Sequence, residues 1–384
     1  MNAPLPPLTL RTPRVIAFGG GCAPRAIAEL ADGHRRAFVV TSESVRTHAG
    51  RVAAPLREAG LHIETATLPT GEPTLVSAEA LREQTRAFAP DLVLGIGGGS
   101  VLDAAKIAAA LHDRDEPLAH FFGSGLVPGR RTTLACVPTT AGTGSEVSPN
   151  ALLLDEGARA KKAIISPALV PDAAIVDPEF MLDLPPALTA TTGVDALAHC
   201  LEAYASLVAH PTVDLYALEG VRLIGAHLAR AVADGRDLAA RSAVALGSLY
   251  GGLGLGPVNT NGVHALAYPL GGEFHVPHAL SIALLLPHVV AFNCSALPAR
   301  HAALARALGA PDTGSDADTA AQLPARLRAL LAACGIPSGL SRHGIPRDAL
   351  PHLADAGLQV TRLLKANPRP VTRDDARRIY EAAY

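Results

Sequence analysis

Through the first 184 residues, short apolar runs rich in β-branched residues alternate with stretches of helical periodicity. Val15–Phe18 precedes the glycine turn Gly19–Gly21 and a helical Ala23–Leu30, and Ala37–Thr41 precedes a helical pattern from Ser44 to Ala59. Asp91–Ile96 reads as a buried strand followed by Gly97–Ser100 and a helix over Val101–His112, with further strands at Thr133–Val137 and Ala174–Asp177. Strands separated by helices predict βαβ units and a mostly parallel sheet. Past Leu184-Pro185-Pro186 strand-like runs nearly vanish, and Ala/Leu-rich helical patterns continue to the end. The pattern therefore predicts an α/β plus all-α chain. A mostly parallel α/β nucleotide-binding domain occupies 1–184 and a helical bundle domain 185–384. No repeat of fixed period and no low-complexity linker interrupts it.

Composition agrees with this division. A chain of 384 residues exceeds a typical single domain, and 49% hydrophobic against 18% charged residues is ample for large cores. The 33 basic and 35 acidic residues leave a net charge of −2 without long runs of either sign. Nothing in this balance points to a nucleic-acid surface or a basic membrane-binding face. The proline-rich start MNAPLPPLTLRTPRV lacks the apolar core of a signal peptide. The longest apolar stretch, Ala279 to Phe292, is broken by Pro287 and His288 and is too short to span a bilayer. Cys22, Cys136, Cys200, Cys294 and Cys334 are scattered with no CxxC pair, which suits a reducing compartment. A cytoplasmic location without a membrane partner is the expectation.

Two segments of the first domain carry candidate nucleotide chemistry. DLVLGIGGGSVLDAAKIAAAL (Asp91–Leu111) is a strand, a glycine turn and a helix in succession. Glycines allow close backbone approach to a pyrophosphate, and the N–H groups opening a helix favour negative charge. The spacing is not GxGxxG, so the usual dinucleotide fingerprint is absent, and a ligand-free tight turn is the plain alternative. VPTTAGTGSEVSPNALL (Val137–Leu153) offers Thr139, Thr140, Thr143 and Ser145 after another strand, either lining a polar groove or capping a loop. Two such segments in one α/β domain favour a dinucleotide.

The second domain carries candidate metal chemistry. GVDALAHCLEAY (Gly193–Tyr204) places Asp195 and His199 four residues apart on one helical face, with Val194, Leu197, Ala198 and Leu201 as packing residues. Alone, such a pair is more simply a helix-stabilising contact. HALAYPLGGEFHVPHALSIALLLPH (His264–His288) adds four histidines in an otherwise apolar stretch. A lone histidine there is usually a core residue, but a cluster beside an Asp–His pair points to a metal. Three imidazoles and one carboxylate suit Zn²⁺ or Fe²⁺, and spacing does not say which histidines bind.

GGGSVLDAAK, PTTAGTGSEVSP, GVDALAHCLEAY and HALAYPLGGEFHVPH, in this order, resemble the signatures of the iron-containing (group III) alcohol dehydrogenase family. The resemblance runs from about residue 15 to about residue 310. It implies a nucleotide-binding α/β domain, a helical domain, a cleft between them and a homodimer or larger assembly. It also implies hydride transfer between NAD or NADP and a small aldehyde or primary alcohol, assisted by Fe²⁺ or, alternatively, Zn²⁺. Carried over by position, the metal ligands are Asp195, His199, His264 and His278. The pyrophosphate loop is Gly97, Gly98, Gly99 and Ser100, followed by Asp103. Thr139, Thr140, Thr143 and Ser145 form the second cofactor segment, and Lys161 matches a lysine near the cofactor ribose.

Two positions depart from the family. Tyr268 stands where a histidine is common near the reacting carbon, so the proton route passes to Tyr268 or His275. His275 is the better matched in acidity, since a phenol titrates near pH 10. Ser42 stands where the family often has an aspartate gripping the adenosine ribose. Its neutrality removes the repulsion of a 2′-phosphate, with Glu43 adjacent, which leaves NADH and NADPH both open. Two related readings share this architecture. Maleylacetate reductases typically carry Asn at the acidic ligand position, where this chain has Asp195. A dehydroquinate synthase-like lyase would use NAD only transiently.

Overall fold

A computed structural model of the chain describes residues 5–384 apart from residues 70 and 159. It divides into two compact units. One is Arg11–Leu184; the other is Pro185–Tyr384 together with the N-terminal residues through Leu10. Leu8 packs against the helical cluster of Ala203, Val213, Ala217 and Val258.

The first unit runs β1 (Val15–Phe18), α1 (Ala23–Ala31), β2 (Arg36–Ser42), α2 (Arg46–Glu58), β3 (His62–Leu68), α3 (Leu75–Phe88), β4 (Leu92–Gly97) and α4 (Gly99–Leu111). It continues through β5 (Gly123–Ser124), β6 (Thr133–Pro138), β7 (Asn150–Asp155), β8 (Ala160–Ile165) and β9 (Ala173–Val176). Among the described residues six strands pair in the order β1-β9-β6-β4-β2-β3, parallel at every junction. β4 reads LVLGIG and is buried along its whole length, as a central strand covered on both faces must be. A smaller sheet, β5-β8-β7, has β7 antiparallel to β8.

The apolar pattern foreshadows β1, β2, β4, β6 and β9 to within a residue or two. It misses β3, whose HIETATL is largely exposed at the sheet edge and carries no continuous apolar run. It also misses α3, which begins with a reciprocal capping box between Thr74 and Ser77.

The second unit is helical. α5 (Pro186–Tyr204), α6 (Pro211–Ala233) and α7 (Leu238–Gly254) pack together, followed by α8 (Gly262–Phe274) and α9 (His278–Asn293). Shorter helices follow, among them Leu350–Leu358 and Arg373–Ala382. Tyr380 is fully buried, and its hydroxyl donates to the carbonyl of Leu266 in α8. No helix among the described residues is long and apolar enough to cross a membrane.

Close approach of α6 to its neighbours depends on Gly220. A Cβ there would lie 2.4 Å from Cys200 Sγ in α5 and 3.2 Å from the Gly247 carbonyl in α7. Gly220→Ala overpacks this three-helix contact, a change of about 1–3 kcal/mol. We expect the thermal midpoint of the metal-free protein to fall by roughly 3–10 °C, read by calorimetry.

Candidate functional site

The central sheet of the first unit is covered differently on its two faces. α1 and α2 bury Ala23, Ile27, Val52 and Leu56 against Val39 and Leu94. α3 and α4 bury Leu81, Phe88, Leu102 and Ala105 against Phe38 and Val93 on the other face. β2 and β4 are neighbours, yet their following helices leave to opposite faces, which makes the carboxyl ends of these strands a topological switch point. Ser42 closes β2 and Gly97 closes β4. α4 starts with Gly98 as N-cap and without a side-chain cap; the Gly98 carbonyl takes the N–H of Val101, and the N–H groups that open the helix before it are placed to meet a ligand. An uncapped helix start at a switch point fits the pyrophosphate of a dinucleotide.

Both sequence-predicted cofactor segments meet here. β4 and β6 pair through Gly97 and Pro138, and Thr139 N–H donates to the Gly97 carbonyl at 2.9 Å. A Cβ on Gly99 would stand 2.4 Å from Thr143 Cγ2, so the backbone of the glycine turn lies directly on that threonine. Thr140 flanks Gly98 at ordinary contact, 3.5 Å from the place of a Cβ. Ser42 Oγ shares a hydrogen bond of 3.0 Å with Ser44 Oγ, while Glu43 pairs with Arg46 at 3.4 Å. Lys161, on β8, is ion-paired with Glu72.

Asp103 and Ser145 turn inward and bond to each other, Ser145 Oγ donating to Asp103 Oδ1 at 2.5 Å. Asp103 also accepts from Leu152 N–H at 2.9 Å. At their centre lies Lys106, fully buried and passed over in the sequence as one more residue of the helix. Its ammonium donates to Ser145 Oγ (3.0 Å), Ser148 Oγ (3.2 Å) and the Asn150 carbonyl (2.7 Å). The network ties α4 to the segment that carries the threonines. Burial pushes the Lys106 amine below its ordinary range and Asp103 above its own, each partly offset by the other's charge.

In the helical unit α5 presents Asp195 and His199 on one face, α8 begins with His264 near its start, and α9 opens on His278. The ligating atoms of Asp195, His199 and His264 all lie within 4.8 Å of one another, and all three residues are buried. Asp195 Oδ1 stands 3.4 Å from His264 Nε2, 3.8 Å from His199 Nε2 and 3.9 Å from His278 Nε2. The rings of His199 and His264 stack with centroids 4.8 Å apart. Two donors each about 2.1 Å from one tetrahedral ion stand about 3.4 Å apart, so these separations are those of groups sharing a cation.

Two buried atoms sharpen the point. Asp195 Oδ1 and His264 Nε2 face each other without hydrogen-bond geometry, and neither finds another hydrogen-bond partner among the described residues. Orphaned buried polar atoms are costly, and a divalent cation would satisfy both. Burial alone would raise the Asp195 carboxyl. The charges of His199, His278 and His264 outweigh it and hold the group well below the usual carboxylate range. The donor set fits a divalent ion.

His264 Nδ1 is held by Glu202, a buried carboxylate near the end of α5 that motif reading did not single out. The signal was present, since Asp195, His199 and Glu202 recur at i, i+4 and i+7 on one helix stripe. The Tyr268 ring lies 5.9 Å from that of His278, and burial pushes its phenol up to about 12. Tyr268 therefore remains protonated through the neutral range. His275 caps α8 in a left-handed conformation, φ 55°, with its side chain exposed.

An uncapped helix start at a switch point in one unit and a buried carboxylate–imidazole cluster in the other fit a metal-dependent oxidoreductase that uses a nicotinamide dinucleotide. Residues 13–178 match the family described as iron-containing alcohol dehydrogenase, and residues 189–384 match the C-terminal domain of the same family. The chain belongs to the iron-containing alcohol dehydrogenase family and is an NAD(P)-dependent enzyme. It is 40% identical over 338 residues to long-chain-alcohol dehydrogenase 1 of Geobacillus thermodenitrificans (strain NG80-2), covering 87% of this chain and 85% of that one. It superposes on the crystal structure of 1,3-propanediol oxidoreductase with a TM-score of 0.95 and 31% identity, covering 99% and 100% of the two chains. Sulfoacetaldehyde reductase from Bifidobacterium kashiwanohense, solved in complex with NAD+, gives a TM-score of 0.88 and 27% identity over 98% and 99%.

Glu146, buried one residue beyond Ser145, makes the first unit sensitive to pH. Burial raises its carboxyl from 4.5 to about 7, against the opposing pull of its backbone hydrogen bond and of Lys106. As pH rises from 4.5 towards 7 the unfolded chain sheds this proton before the folded one does, so the group costs stability progressively and fully above about 7. Glu146→Gln removes that ionisation. Its thermal midpoint relative to the natural protein should rise between pH 5 and pH 8 by roughly 5 °C, followed by circular dichroism at both pH values.

Proposed function

We propose that this enzyme interconverts small aldehydes and primary alcohols, with Asp195, His199, His264 and His278 holding a ferrous ion and with NAD or NADP bound at the switch point. The observation that carries the reading is the pair of orphaned atoms, Asp195 Oδ1 and His264 Nε2, in a buried cluster of carboxylate and imidazoles. Relatives named for long-chain alcohol and for 1,3-propanediol support the substrate class. Asp195, where a maleylacetate reductase would carry Asn, favours the metal-dependent reaction over that alternative.

A divalent ion bound there supplies Lewis acidity to the substrate oxygen, and a bound nicotinamide supplies or accepts the hydride. The chain's own residues do the rest. Gly97, Gly98, Gly99 and Ser100 bring open N–H groups to the pyrophosphate, with Thr139, Thr140 and Thr143 lining the same turn. Asp103 and Ser145 hold that turn through Lys106, Ser42 meets the adenosine ribose, and Lys161 lies on the ribose side. Tyr268, which keeps its proton, donates a hydrogen bond beside His278, and His275 exchanges the proton with solvent. A homodimer in the cytoplasm completes the reading. β1 is an edge strand whose Val15 and Ile16 are exposed, an apolar rim that a second copy would cover.

His264→Ala should bind less than a tenth of the metal held by the natural protein, measured by elemental analysis after dialysis, and should lose at least about 10³-fold in kcat. Its NADH affinity, titrated by fluorescence, should stay within a factor of about three, because the cradle lies in the other unit. Full turnover by a metal-free His264→Ala protein defeats the mechanism. Ser42→Asp should lower kcat/KM for NADPH relative to NADH by about 10-fold or more, since a carboxylate there repels the 2′-phosphate.

A further inference from the structure

Glu202 is 3% exposed and spends both carboxylate oxygens on α8. Oε1 accepts from the N–H groups of Asn261 (2.9 Å), Val263 (2.8 Å) and His264 (3.4 Å). Oε2 accepts from His264 Nδ1. Asn261 answers in the other direction: its Nδ2 donates to the carbonyls of Glu202 (2.9 Å) and Ala205 (3.3 Å), and its Oδ1 accepts from Gly262 N–H at 2.6 Å. The end of α5 and the start of α8, some 60 residues apart in the chain, are thus clasped by two reciprocal side chains.

Capping alone does not call for a charged residue at this place. Asn261 already caps α8 with its side chain, and neutral caps serve as well as charged ones at a helix start. A buried carboxylate carries a desolvation cost of several kcal/mol, which its hydrogen bonds must offset. What a carboxylate does and an amide cannot is accept on both oxygens. With Oε2 accepting, His264 keeps its proton on Nδ1 and turns Nε2 towards Asp195 Oδ1. The other nitrogen of an imidazole sets which one is free to ligate.

We propose that Glu202 is a positioning residue of the metal centre, holding His264 in the tautomer that presents a bare Nε2 and pinning the start of α8 so that this nitrogen stands opposite Asp195 and His199. The inference rests on the ligand assignment above. In Glu202→Gln, Oε1 still accepts the three backbone N–H groups, but the amide N–H₂ now faces Nδ1. Two donors cannot share that contact, so the ring proton moves to Nε2, the atom that must ligate.

The test is Zn²⁺ affinity measured against a chromophoric chelator in full-length natural protein, Glu202→Gln and His264→Ala. Glu202→Gln should bind Zn²⁺ about 10–100-fold more weakly. Its metal-free thermal midpoint should lie within a few degrees of the natural one, because Oε1 still caps the start of α8, so the lost affinity is not a loss of the fold. Affinity within twofold of the natural value overturns the positioning role. If His264→Ala also retains full affinity, the ligand assignment falls; if only Glu202→Gln does, the assignment stands and Glu202 is a cap. A second measurement does not depend on the variant folding. In the Zn²⁺-loaded natural protein, ¹⁵N-labelled histidine spectra should show one imidazole with a hydrogen-bonded Nδ1 proton shifted far downfield and a metal-bound Nε2, and its absence overturns the proposal.

Discussion

A carboxylate buried among imidazoles is the constraint on which the helical unit is built. Asp195 is almost wholly buried, and one of its oxygens makes no hydrogen bond among the described residues. Removing a carboxylate from water costs several kcal/mol, and a protein tolerates it where positive charge stands close. Three imidazoles within 3.9 Å of Oδ1 meet that need only when protonated or when a cation lies among them. The second option is the one that also satisfies His264 Nε2. The helical scaffold follows from it: α5 carries the carboxylate and one histidine on a single stripe, α8 and α9 bring the others, and Gly220 lets α6 close against α5.

The α/β unit solves the opposite electrostatic problem. The ligand proposed for it is an anion, and the fold offers the uncapped start of α4 at the place where connections from β2 and β4 part to opposite faces. Glycine at 99 is needed because Thr143 occupies the space of a side chain. Behind the turn, Lys106 supplies a buried positive charge that never reaches the surface. It orders Ser145, Ser148 and Asn150 instead, and Asp103 partly balances it. Charge in this unit holds backbone in place, whereas in the helical unit it converges on the site proposed for an ion.

Much of both sites was legible in local pattern. Strands buried on both faces announce themselves as continuous apolar runs, and the glycine turn after β4 and the threonines after β6 follow such runs directly. β3 escaped because an edge strand needs no continuous apolar run, and Lys106 escaped because a lysine in a helix is ordinarily a solvated one. Asp103 and Ser145 were legible as residues of the cofactor segments, but their partners were not. Glu202 lay inside a quoted motif, and only its contact with a ring 62 residues away reveals what it does.

The chain's order of residue types determined the alternation of strand and helix, the change to a helical second half, and the i, i+4 pairing of Asp195 with His199. All of these follow from periodicity over a few turns, which is a property of the backbone itself. Which of the four histidines between 264 and 288 face Asp195 was decided by packing. His264 and His278 point there, His275 is exposed at the end of α8, and His288 lies beside Phe292 and Arg369 on a separate surface hollow. So were the docking of Leu8 on helices that begin almost two hundred residues later and the clasp between Glu202 and Asn261. Contacts of that span depend on how whole elements stack, and no local spacing encodes them.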